Sequence, residues 1–91
     1  MVARRSDQDD ELINRNRERI LERLRRGGLP RDRYEGMWGA QGSGLPCAGC
    51  GEPIGSDDLE IEAQFLTATG FEGHRFHTLC HAIWEIERRR S

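Results

Sequence analysis

The chain has 91 residues, 35% of them hydrophobic and 33% charged, with a formal net charge of −2. That composition allows one small domain with an extension and supplies too little apolar surface for a self-sufficient core. No apolar run approaches the roughly 18 residues of a membrane span, and Met1 to Asp10 lacks the apolar segment of a secretion signal, so a soluble cytoplasmic protein is expected. All fourteen basic residues are arginine. They are unevenly spread: ten arginines face eight acids before Cys47, a balance of +2, and four face eight from Cys47 onward, a balance of −4.

Residues 1–28 read as an amphipathic helix. Ser6 opens a capping-box-like pattern with Asp9, and Asp7, Asp10 and Glu11 suit the positive end of a helix. Leu12, Ile13, Ile20, Leu21 and Leu24 then recur at helical spacing, and Gly27-Gly28 followed by Pro30 ends the run. The stripe either packs on its own domain or serves as a docking or weak homodimerisation surface, and a helix of about three heptads is short for a coiled coil.

Residues 29–46 read as an irregular, Gly-rich connector, with Gly39 to Gly44 as its flexible part. Met37 and Trp38 stand out in it. In a domain short of apolar cover, Trp38 is expected to fold back over the metal core, the alternative being a side chain that awaits a partner.

Residues 47–91 hold the chemistry. Cys47-Ala-Gly-Cys50 and His77-Thr-Leu-Cys80 form a C-x-x-C…H-x-x-C pattern that uses every cysteine. Each half puts two soft ligands three residues apart, a spacing at which a tight turn or one helical turn aims both at one ion. Four ligands complete a tetrahedron around Zn2+ and leave no open position. His81, four residues after His77, is the alternative ligand, and His74 a lesser one. Between the halves, Leu59, Ile61, Ala63 and Phe65 alternate with Glu60, Glu62 and Gln64, a strand with one apolar and one wet face. Gly70 and Gly73 bracket a turn region, Arg75-Phe76-His77 closes a returning strand, and a helix from about Thr78 to Arg90 presents Leu79, Ile83, Trp84 and Glu87 on one side.

A cysteine-bearing turn, a hairpin and a ligand-bearing helix together resemble the treble-clef zinc fold, and C-x-x-C…H-x-x-C looks like the first finger of a LIM domain. The likeness covers residues 47 to about 90. It implies that Cys47 and Cys50 come from a zinc knuckle and His77 and Cys80 from the start of the helix. The interval from Gly51 to Phe76 exceeds the LIM interval, and no second ligand set follows, which argues against a true LIM domain. Trp38 to Ile54 and Phe76 to Arg88 are also similar to segments of small uncharacterised bacterial zinc-finger proteins. The expected fold class is therefore α+β: a zinc-stabilised treble-clef-like module of knuckle, β-hairpin and C-terminal helix, preceded by the amphipathic helix.

Enzyme chemistry finds no support. Pro46-Cys47-Ala-Gly-Cys50 matches half of the zinc deaminase signature, but no histidine precedes it to supply H-x-E. H-E-x-x-H, a phosphate-binding glycine loop and a G-x-S-x-G elbow are also missing. The functional expectation is a protein-interaction or regulatory adaptor with a structural zinc site. The alternative is a nucleic-acid-binding regulator that uses Arg15, Arg19, Arg23, Arg26, Arg31 and Arg33 with the zinc module as scaffold. Six arginines within residues 7–26 are matched by six acids, which favours the adaptor. Chelation is expected to unfold residues 47–90 and to affect the first helix less.

Overall fold

The computed structural model describes residues 2–32 and 34–90, with side chains from Asp10 onward. Five elements follow in order: α1 (Val2–Arg25), β1 (Gly36–Gln41), β2 (Leu59–Thr67), β3 (Gly70–His77) and α2 (Thr78–Arg90). The fold is a small α+β arrangement, a three-stranded antiparallel sheet of order β1-β2-β3 with two helices. No helix among the described residues is long and apolar enough to cross a membrane.

Helix α1 is already formed at Val2, so Ser6 lies inside it and is not its cap. The side chains of Ser6, Asp7 and Asp9 fall outside the described residues. At the other end the glycine signal acts as expected. Gly27 takes φ 78°, Gly27 N–H donates to the Leu24 carbonyl at 3.2 Å, and Gly28 N–H donates to the Arg23 carbonyl at 2.8 Å. This is the Schellman closure, which needs a left-handed residue that glycine adopts without a Cβ penalty.

The segment 36–41, expected to be part of an irregular connector, is a strand. Met37 pairs with Ala63 and Trp38 with Glu62 along β2. A six-residue stretch of Gly, Met, Trp, Ala and Gln carries no strong strand signal of its own, and β2 supplies the template. Pairing with Glu62 turns Trp38 to the sheet face opposite Ala63 and Phe65, so it does not cover the metal core and stays 46% exposed.

Strands β2 and β3 form the expected hairpin, but Gly73 lies within β3 opposite Gln64, and the turn is made by Ala68 and Thr69. The apolar face of β2 is realised at Ala63 and Phe65, which are buried. Leu59, at the end of the strand, is exposed. Glu60, expected on the wet face, is buried because the loop after β1 folds over it. Ser43 N–H and Oγ donate to its Oε1 at 3.0 and 2.6 Å, and Arg75 Nε lies 3.1 Å from its Oε2.

The core lies between the inner sheet face and the two helices. Trp84 is its centre, fully buried, stacked on Phe76 at 5.5 Å and edge-on to Phe65 at 5.6 Å. Its indole N–H donates to the Pro30 carbonyl at 2.8 Å, which satisfies the one polar atom of the ring and ties the end of the α1 loop to α2. From α1, Ile20 and Leu24 enter this core, while Ile13 packs at its margin. Glu87 of α2 is buried against α1, its Oε2 3.5 Å from Arg17 Nε.

Candidate metal centre

The first half of the site is a tight hairpin around the C-x-x-C segment. Pro46 bridges to Pro53, Cys47 N–H donates to the Glu52 carbonyl at 2.8 Å, and Gly51 N–H donates to the Cys47 carbonyl at 2.9 Å. Gly51 has φ 86°, the left-handed turn that brings the chain back. Ala48 N–H then donates to the Arg75 carbonyl at 2.7 Å, which fixes the hairpin to the edge of β3. The second half follows directly: His77 ends β3, and Cys80 sits in the first turn of α2.

These elements bring Cys47, Cys50, His77 and Cys80 together, with one ligand atom of each within 4.8 Å of all the others. His77 Nδ1 lies 3.5 Å from Cys50 Sγ and 3.8 Å from Cys80 Sγ. A tetrahedron with Zn–S near 2.3 Å and Zn–N near 2.05 Å has N···S edges of about 3.6 Å, so the spacing suits a zinc-sized ion. The donor set fits as well. With Nδ1 turned to the sulfurs, Nε2 is 3.2 Å from the Pro53 carbonyl, so its N–H donates there and fixes ring and tautomer as an outer partner does for a metal-bound histidine. Cys47 Sγ accepts N–H groups from Gly49 at 3.3 Å and from His77 at 3.4 Å.

Electrostatics point the same way. The Cys47 thiol is lowered to about 4, chiefly by its hydrogen bond with Cys80 and by the backbone N–H groups aimed at its sulfur. Its negative charge then opposes the others: the hydrogen bond to Cys47 and burial push Cys80 up, and burial, joined by the Cys47 charge, pushes Cys50 up. Three thiolates within this radius become compatible when a divalent cation supplies the opposing charge.

His81 is placed elsewhere. It points into the aromatic core, 5.7 Å from Phe76 and 5.6 Å from Trp84 between ring centres, and is not one of the clustered ligands. Burial lowers its pKa, which favours the neutral ring, and its Nε2 has no hydrogen-bond partner among the described residues. His74 sits on β3 with Nε2 2.9 Å from Glu72 Oε1 and its ring edge-on to Phe65.

The first helix is part of the site's support, which the sequence did not disclose. Arg23 Nη1 donates to the Ala48 carbonyl at 2.8 Å and Arg19 Nη1 to the Cys50 carbonyl at 3.2 Å, so two arginines hold the backbone between and at the paired cysteines. Arg31 donates to the Leu24 carbonyl at 3.3 Å. Arg33 lies outside the described residues. Gly49 leaves room for the contact: a Cβ there would meet Cys80 Cβ and Ile20 Cγ1, each at 3.1 Å. Of the α1 stripe, Ile20 and Leu24 are consumed by the core, Ile13 and Leu21 are half-buried, and Leu12 is 41% exposed. Leu12 borders a cavity of about 520 Å³ between α1 and the ligands Cys50 and His77, lined also by Arg15, Leu59 and Leu79.

Comparison with protein-family models, with curated proteins and with solved structures finds no match to the chain.

Proposed function

We propose that the protein is a zinc-stapled protein-interaction or regulatory adaptor, with a structural site of treble-clef-like layout and a contact surface on the outer sheet face. The observation that carries this reading is a complete set of four protein ligands in a chain that leaves Trp38, Leu66 and Phe71 exposed on its outer sheet face. The ligand atoms of Cys47, Cys50, His77 and Cys80 lie within 4.8 Å of one another, and four protein ligands suffice for a tetrahedron with no open position, which suits a structural rather than a catalytic ion. Reduced thiols held for a metal suit a cytoplasmic setting. Trp38, Leu66 and Phe71 stand on the sheet face away from α2, at 46%, 63% and 65% exposure. Leu66 and Phe71 stand directly opposite each other across the hairpin, and adjoining exposed apolar side chains of this kind mark interaction surfaces.

The contact surface on this reading is the sheet, because α1 spends Ile20 and Leu24 internally. Nucleic-acid binding through the arginines is the weaker alternative, since Arg19, Arg23 and Arg31 donate to carbonyls of the chain itself.

The test is site-specific photo-crosslinking in the native host from position 71, compared with the same label at Glu18 on α1. A discrete adduct from position 71 that is lost in Leu66→Ser supports the reading. Adducts confined to position 18, or salt-sensitive binding to duplex or single-stranded nucleic acid that Arg15→Ala and Arg26→Ala abolish, would count against it.

A further inference from the structure

The two edges of the sheet are treated differently. At β3 the open edge carries Glu72, His74 and Arg75, and the cysteine hairpin covers part of it through the bond from Ala48 N–H to the Arg75 carbonyl. At β1 nothing comparable occurs among the described residues. Gly36-Met-Trp-Gly-Ala-Gln41 contains no charge and no proline, and Met37 through Gln41 are all exposed. Among the described residues, no element other than β2 packs against it. Natural sheets protect such edges with lysines, prolines, bulges or covering segments, because a bare row of N–H and C=O groups templates another strand.

The register shows which groups are bare. Gly42 N–H donates to the Asp58 carbonyl at 2.9 Å, and β1 pairs with β2 in the same register, Ala40 opposite Glu60 and Trp38 opposite Glu62. Hydrogen-bonded pairs alternate along an antiparallel ladder, so Trp38 and Ala40 bond inward to β2 and Met37, Gly39 and Gln41 aim their N–H and C=O outward.

We infer that β1 pairs antiparallel with β1 of a second copy of this chain, the two-fold axis passing at Gly39, to give a continuous six-stranded sheet. With Gly39 opposite the partner's Gly39, Met37 faces the partner's Gln41, and the outward groups form about six backbone hydrogen bonds. Glycine on the axis leaves space for Met37 and Trp38 to cover the seam on the two faces. Charge permits the match: within the paired stretch no charged residue stands on either strand, and the nearest one, Glu35, falls opposite the partner's Ser43. A seam one strand wide buries less than a standard interface, so the dimer is weak and concentration-dependent. This inference rests on the backbone of β1 and goes beyond the adaptor reading, which needs a different protein on the outer face.

The experiment is sedimentation velocity of the full zinc-loaded chain from about 10 µM to about 1 mM, with residue-level amide exchange at both ends of the range. The expected result is a monomer–dimer equilibrium in which Met37, Gly39 and Gln41 amides gain protection with concentration while Trp38 and Ala40, already bonded to β2, do not change. Gly39→Lys places like charges across the axis and weakens dimerisation by at least about tenfold. A Cβ at position 39 meets Leu59 Cδ1 at an ordinary 3.5 Å, so that variant keeps its fold and metal content. A protein that stays monomeric throughout, a dimer indifferent to Gly39→Lys, or one abolished instead by Leu12→Asp on α1 would overturn the inference. Loss of the crosslink at position 71 with an intact dimer would count against the adaptor reading alone.

Discussion

Arg23 of the first helix donates a hydrogen bond to the carbonyl of Ala48, the residue that follows the first metal-binding cysteine, at 2.8 Å. The helix is thereby joined to the metal hairpin through backbone as well as through the core. Replacing Arg23 by alanine leaves the carbonyl between the paired cysteines without its donor and is expected to cost about 1 kcal/mol of stability. Zinc affinity should fall by about tenfold, as for lost outer-sphere partners. Competition with a chromophoric chelator and thermal unfolding check both, with Arg26→Ala, which has no such contact, as the control.

Gly49 sits where the cysteine hairpin, α1 and α2 meet. Gly49→Ala forces its Cβ against Cys80 Cβ and Ile20 Cγ1 at 3.1 Å, so either the hairpin or α1 must shift. The expected loss is about 1–3 kcal/mol, as for other overpacked core sites. Chemical denaturation of the zinc-loaded protein reads it, and Gly36→Ala separates crowding from glycine loss, since Gly36 is not left-handed and a Cβ there meets only Trp38 Cζ3 at an ordinary 3.5 Å.

The ligand set makes a sharp division between two histidines four residues apart. His77→Ala should abolish stoichiometric zinc binding, and His77→Cys should restore it as a four-cysteine site. His81→Phe should retain one zinc per chain, because the His81 ring lies among Phe76, Tyr34 and Trp84 rather than with the sulfurs. Metal analysis of the purified variants decides the matter.

Glu60 gives a pH signature. Hydrogen bonds from Ser43 and the nearby Arg75 guanidinium hold its carboxyl below the usual carboxylate range. A lowered folded-state pKa stabilises the fold at pH values above the ordinary carboxylate value of about 4.3, and that stabilisation is lost as pH falls through the folded value. Glu60→Gln should therefore cost about 1–2 kcal/mol near neutrality. The gap between variant and wild type should narrow below about pH 4. Parallel urea titrations at neutral and acid pH measure that gap.

Much of this was legible before the structure, and the rest fails for definable reasons. The ligand spacing, the Gly27-Gly28 stop and the limits of α2 are local signals, set by turn geometry within a few residues. Strand β1 was missed because Met37 and Trp38 take their conformation from β2, more than twenty residues away. The burial of Glu60 depends on Ser43, and the clamping of the hairpin depends on Arg19 and Arg23. Each is a side chain whose sequence context suggested solvent or phosphate. Their partners are backbone carbonyls or a distant hydroxyl, which leave no periodic trace in the chain.

That clamping also changes what metal loss should do. With Ile20 packed against Gly49 and with Arg19 and Arg23 on the hairpin carbonyls, α1 is expected to loosen together with α2 when the metal is removed. The decisive measurement is residue-level amide exchange of the protein purified with its metal, before and after chelation. The expected result is one metal ion per chain, zinc on the proposed reading, and on its removal a joint loss of protection in residues 16–25 of α1 and 79–88 of α2. Protection in either helix that survives chelation unchanged would contradict the account.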